Sequence, residues 1–150
     1  MFRSQSPPAN SRWLAMELAA LLSAPHPGVP SESGPADLFN IRFDQMFEQS
    51  AHGMVCGREV NRYELKEAIL TLKSKWDAER GTIVGVVARP GYFTSFHPTM
   101  GAKLEFTPLN GPQEQQTVTA EASGEDKDGS ERIEYLRFEG DESLFKRDTQ

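Results

Sequence analysis

Residues Phe43–Trp76 read FDQMFEQSAHGMVCGREVNRYELKEAILTLKSKW, and this stretch passes from a helix into a strand, through a turn and into another helix. Phe39, Phe43, Met46 and Phe47 recur at helical spacing and form one stripe for burial. Pro35 suits a first helical turn and Asp37 suits the positive end of the helix dipole, which predicts a start near Pro35. Ala51–Val60 alternates poorly, but Met54 and Val55 precede a Cys56-Gly57-Arg58 bend, so it reads as a short strand or tight hairpin. Asn61, followed three residues later by Glu64, predicts a capping box. The helix it opens carries Leu65, Ala68, Ile69, Leu72 and Trp76 on one stripe.

Before this stretch, MFRSQSPPAN contains a Pro-Pro pair and reads as a disordered arm over residues 1–10. A helix is predicted from Asn10 or Ser11, with Leu14, Leu18, Leu21 and Leu22 at helical spacing and Trp13 and Met16 on the shoulders. The segment SAPHPGVPSESGP ends it, and His26 within that linker reads as a solvated side chain. After Gly81 the spacing changes to that of strands. Thr82–Arg89, Ala102–Thr107, Thr117–Ala122 and Arg132–Glu139 are predicted as four strands. An Asp-Gly pair in the connector Ser123–Ser130 marks a hairpin between the last two, so the sheet is expected to be mainly antiparallel. The fold class is therefore α+β, with three N-terminal helices packed on a curved sheet.

At 150 residues the chain can bury roughly 70% of its unfolded surface and build a core without staples. Apolar residues concentrate between Trp13 and Phe138, although mean hydropathy is low at −0.54. The expected organisation is an arm at 1–10, one domain at 11–140 and a flexible tail at 141–150. A net charge of −6 and a pI near 5.1 argue against a nucleic-acid surface, which needs clustered Lys and Arg to displace phosphate counterions. The basic residues around the third helix, from Arg58 to Arg80, interleave with Glu59, Glu64, Glu67, Asp77 and Glu79, as on a solvated helix face. Cys56 is the only cysteine and no glycosylation acceptor is present, so a cytoplasmic, intracellular protein is expected. The apolar run Trp13–Ala24 carries Glu17 and falls short of the ~20 residues that span a bilayer, so no membrane association is expected.

The order helix, helix, short strand, helix and four long strands resembles the cone-shaped α+β fold of the nuclear transport factor 2-like superfamily, which includes ketosteroid isomerases, scytalone dehydratases and polyketide cyclases. The best local match is Phe43–Leu70, where an aromatic helix runs into a strand, then Gly57-Arg58-Glu59-Val60, then a helix opened by Asn61. The resemblance spans Trp13–Phe138 and implies a concave sheet face roofed by helices around an apolar pocket, with the other face free to form a homodimer. In the isomerases of this superfamily an Asp on the strand after the second helix is the base, and a Tyr on a helix contributes to the oxyanion hole. The corresponding stretch here, Met54–Cys56, holds no carboxylate, and the first helix holds no Tyr.

Two functions from different classes follow. The first is a non-catalytic binding or protein-interaction module whose pocket, lined by Phe43, Phe47, Met54, Trp76, Phe106 and Tyr135, takes an apolar small molecule, or whose surface takes a protein partner. The alternative is a small cofactor-independent lyase or isomerase, of dehydratase or cyclase type, with His52 as general base and Asp44 and Tyr63 orienting a water or a carbonyl. The missing carboxylate favours the first. Tyr92, Phe93, Phe96 and His97 crowd one loop and read either as a lid, a dimer contact, or rings folded onto the core. Cys56 reads as a small core residue rather than a reactive thiol. No cofactor or metal is expected: there is no phosphate loop, H-E-x-x-H, C-x-x-C or G-x-S-x-G motif. The acidic loop Glu125–Gly129 fails as a calcium loop, because aligning Gly129 with the invariant glycine puts Gly124 and Tyr135 at ligand positions.

Overall fold

The computed structural model describes residues 9–24, 38–88, 98–109, 114–127 and 130–146. In chain order these form α1 (Ala9–Ser23), α2 (Leu38–Met46), β1 (Phe47–Val55), β2 (Arg58–Val60), α3 (Arg62–Lys75), β3 (Gly81–Val86), β4 (Met100–Phe106), β5 (Gln116–Lys127), β6 (Ser130–Glu139) and a 3-10 turn, η1 (Glu142–Phe145). The six strands make one mixed sheet in the order β2-β1-β6-β5-β4-β3. Only the β1–β6 pair is parallel. The α+β class and the helix-covered, mainly antiparallel sheet are as expected. Pro35, His26 and the aromatic loop from Tyr92 to His97 lie outside the described residues.

Local chemistry explains the helices. Leu14, Leu18, Leu21 and Leu22 are buried along one side of α1. The last turn of α1 is capped from α3, where Lys73 Nζ donates to Leu22 O at 3.2 Å, a cation placed at the negative end of a helix dipole. Burial lowers the Lys73 pKa. At the other end of α1, the buried Ser11 hydroxyl accepts the Gly101 N–H at 3.0 Å and so ties the helix to β4.

The capping box forms in full: Glu64 N–H donates to Asn61 Oδ1 at 2.8 Å, and Asn61 N–H donates to Glu64 Oε1 at 2.9 Å. Two N–H groups that a helix start leaves without partners are satisfied by two side chains. Asn61→Ala removes one of these bonds, so it is expected to lower stability by about 1 kcal/mol. Urea unfolding checks this, and an unchanged midpoint would show that water caps the helix equally well.

The tight hairpin also forms. Cys56 and Gly57 have φ of 51° and 85°, the double positive-φ signature of a two-residue primed turn between Val55 and its partner Arg58. Cys56 N–H is anchored by Phe138 O at 2.9 Å, which holds a non-glycine residue in this conformation.

Three boundaries differ from the sequence reading. Phe47 opens β1 instead of closing α2, because Phe47 pairs with Ile133 across the β1–β6 junction and that tertiary pairing overrides its helical spacing from Phe43. β5 runs to Lys127 and β6 begins at Ser130, so much of the expected connector is paired strand, with Asp128 and Gly129 outside the described residues. Past residue 140, where a loose tail was expected, η1 buries Leu144 and Phe145, with Phe145 5.3 Å from Phe138 by ring centroid. The buried Lys75 holds this turn, donating through Nζ to Ser143 O and, at 2.8 Å, to Lys146 O. Among the described residues no helix is long and apolar enough to cross a membrane, and no His, Cys, Asp and Glu cluster is placed to hold a metal ion.

Candidate functional site

The helices cover one face of the sheet, and strand alternation decides what reaches the other. On β1, Gly53 and Val55 turn inward while His52 and Met54 turn outward; on β6, Leu136 and Phe138 are inward while Tyr135 and Arg137 are outward. The six residues expected to line one pocket are thereby divided. Phe43, Phe47, Trp76 and Phe106 are buried in the core under the helices, where Phe43 and Phe47 stack at 4.4 Å and Trp76 packs on Phe106 at 5.1 Å. Met54 and Tyr135 are half-buried on the opposite face. A single space lined by all six is ruled out by this parity.

A cavity of about 230 Å³ lies elsewhere, in an open groove between α1 and α2 lined by Ala20, Ala24, Leu38, Ile41, Arg42 and Gln45. Arg42 at its rim is 3.8 Å from Glu17. Its walls hold no group suited to acid–base chemistry beyond this ion pair.

The three residues of the alternative, catalytic reading are spread over three elements. His52 is exposed on the outer sheet face, with Nδ1 3.4 Å from Ser50 O and its ring edge-on to Tyr135 at 4.9 Å. Asp44 on α2 accepts from Arg62 at 3.0 Å, and Arg62 also donates to Glu48 O at 2.9 Å and lies over the Phe43 ring. Asp44 therefore serves an ion pair that fastens α2 to α3. Tyr63 on α3 is 69% exposed. Among the described residues no hydrogen bond or ring contact joins any of these three to another.

The outer face has its own organisation. Register places Met54, Arg137, Glu121, Gly101 and Val86 in one row across five strands. At its centre Arg137 Nη2 donates to Glu121 Oε1, with the two side chains only 15% and 8% exposed. A second row joins His52 to Tyr135 and Ser123, and a third joins Glu139, Thr119, Lys103 and Val84. Lys103 lies 3.9 Å from Glu105. The Tyr135 phenol pKa is raised, first by burial and then by the carboxylate of Glu59, whose Oε1 is 3.5 Å from the hydroxyl. The phenol is thus held neutral as a donor. At the margin, burial chiefly raises the pKa of Cys56, whose Sγ donates to Gly140 O at 3.4 Å, which favours the thiol over the thiolate.

This face combines charges neutralised in pairs with half-buried Met54, Tyr135 and Val86 and the 49% exposed Val84. Removing two charges from water costs several kcal/mol per ion, which mutual pairing offsets only while both partners remain. Among the described residues, the one ring partner of His52 on this face is Tyr135, at 4.9 Å. Glu121 and Arg137 carried no sequence signal, since they sit on different strands and only register opposes them.

No known family profile matches the chain, and no curated protein matches it. Among solved structures, the chain is similar to a putative calcium/calmodulin-dependent protein kinase II association domain from Xanthomonas campestris, with 11% identity, 93% of this chain and 97% of that one covered, and a TM-score of 0.49. It is similar to the Candida albicans Mtr2–Mex67 M domain complex at 12% identity, with 91% and 96% covered and a TM-score of 0.48. An NTF2-like protein of unknown function from an Exiguobacterium species gives 17% identity, 88% and 96% covered, and a TM-score of 0.48. Identities and scores this low carry no argument about function. By its own element order, with three helices on one face of a mixed six-stranded sheet, the chain is an α+β protein whose architecture resembles the nuclear transport factor 2-like cone fold.

Proposed function

We propose that this chain is a non-catalytic protein-interaction module, acting inside the cell, that pairs with a second copy of itself over the sheet face that no described helix covers. The observation that carries the reading is the Arg137–Glu121 pair, nearly removed from water at the centre of a sheet face that no described helix covers. Half-buried Met54 and Val86 lie in the same row across the sheet, and half-buried Tyr135 in the next. A second copy suits this face because its charges come in opposite-sign pairs, Arg137 with Glu121 and Lys103 with Glu105, so that a two-fold contact can set each sign against the other. The separation of His52, Asp44 and Tyr63 supports a non-catalytic role.

Sedimentation equilibrium at tens of micromolar protein tests the proposal. The parent chain is expected to be a dimer, and Tyr135→Arg or Met54→Glu to weaken it by about tenfold or more, while thermal unfolding stays cooperative. A parent chain that sediments as a monomer overturns the reading. Turnover of an apolar carbonyl compound that vanishes in His52→Ala would replace it with the enzyme.

A further inference from the structure

The two edges of the sheet are built differently. The β2 edge is three residues long and carries exposed Arg58 and Glu59. At the other end, β3 reads GTIVGV and pairs with β4 without a register shift from Gly81 to Val86. No charged residue occurs from Gly81 to Ala88, and Val84 and Val87 are 49% and 56% exposed. Alternate residues of an edge strand aim N–H and C=O groups away from the sheet, and among the described residues β3 has no backbone partner besides β4. Charge, proline, bulge and shortness are the usual devices that blunt an edge; β2 uses two of them and β3 none. The strand is also held ready, since Gly85 lies tight against the first turn of α1, where an added Cβ would sit 2.8 Å from the Ser11 backbone.

We propose that β3 is a second contact surface, which pairs antiparallel with β3 of another copy about a two-fold axis at Val84. In that register Val84 opposes Val84, Ile83 opposes Gly85 and Thr82 opposes Val86. Ile83 and Gly85 belong to the helix-covered face and Thr82, Val84 and Val86 to the outer face, so like faces continue across the junction and a large side chain meets a small one. An uncharged strand opposes no like charges when it meets itself, whereas a charged peptide finds no complementary residue there. This contact does not depend on pairing over the sheet face.

Directed cross-linking tests it in the full chain. In a Cys56→Ser background, Val84→Cys is expected to form a covalent dimer with diamide as oxidant, because opposed residues of an antiparallel pair fall within disulfide reach. Tyr63→Cys, 69% exposed on α3 at the far end of the sheet from β3, is the control and should stay uncross-linked. Hydrogen exchange should show β3 amides slowing as protein concentration rises, and Val84→Lys should abolish that change. The cross-link should persist when Tyr135→Arg is added, which separates this edge from the face contact. Absence of a Val84→Cys dimer, its loss on adding Tyr135→Arg, or β3 exchange that ignores concentration would each overturn the proposal.

Discussion

Replacing Gly53 with alanine is expected to abolish the cooperatively folded state. Gly53 opposes Leu136 in the parallel β1–β6 pair, with His52 opposite Tyr135 and Met54 opposite Arg137 on either side. A Cβ at position 53 would sit 2.1 Å from Leu136 O, a backbone atom that can retreat only by pulling β6 out of its ladders with β1 and β5. The junction carries the hairpin and α3 on one side and the rest of the sheet on the other. A loss above about 4 kcal/mol is therefore expected, set against the roughly 5–15 kcal/mol of a whole domain. Gly57→Ala is the matched control. Its φ is +85°, but nothing lies within 4 Å of the added Cβ, so only the left-handed backbone penalty of about 1–2 kcal/mol applies. Thermal unfolding by circular dichroism separates the two, and a Gly53→Ala protein melting within a few degrees of the Gly57→Ala protein would show that β1 and β6 are not locked in this register.

Phe47→Ala is expected to cost about 3–5 kcal/mol, the range for a ring removed from a packed core. Phe47 is fully buried, stacks on Phe43 at 4.4 Å and an interplanar angle of 20°, and begins the strand that pairs with β6. Phe39 continues the same stack, 6.3 Å from Phe43. A ring on the wall of an open ligand cavity would cost less, because part of its surface already faces empty space or solvent. The substitution thus discriminates between a solid layer under the helices and a pocket for an apolar small molecule. Urea unfolding gives the stability change, and Trp76 fluorescence with an added apolar dye reports entry. A small loss together with a dye response in the parent chain would restore the ligand-binding reading and move function from the outer face to the helix-covered one.

The features legible from the residues alone are those whose partners lie close together along the chain. The Asn61–Glu64 box spans four residues, the Cys56-Gly57 turn two, and the leucine stripe of α1, from Leu14 to Leu22, about two turns. Each is decided by local backbone geometry and side-chain reach, so each was legible. The element order, and through it the fold, followed from these. The side of the sheet on which a residue works depends instead on long-range strand pairing. The run Ile133, Tyr135, Leu136, Phe138 does not alternate, and a register shift opposite Ser123 and Gly124 puts Ile133 and Leu136 inward but Tyr135 outward. A one-residue change of parity moves a strand residue from core to surface, which is why Met54 and Tyr135 could not be separated from the buried aromatics. The same holds for Phe47, turned from helix to strand by its partner Ile133, and for Glu121 and Arg137, sixteen residues apart in the chain and joined through the register of β5 and β6. Leu144 and Phe145 lie in a charged tail that reads as solvated, until the Lys75 ammonium gathers its carbonyls and α3 supplies the surface on which it docks.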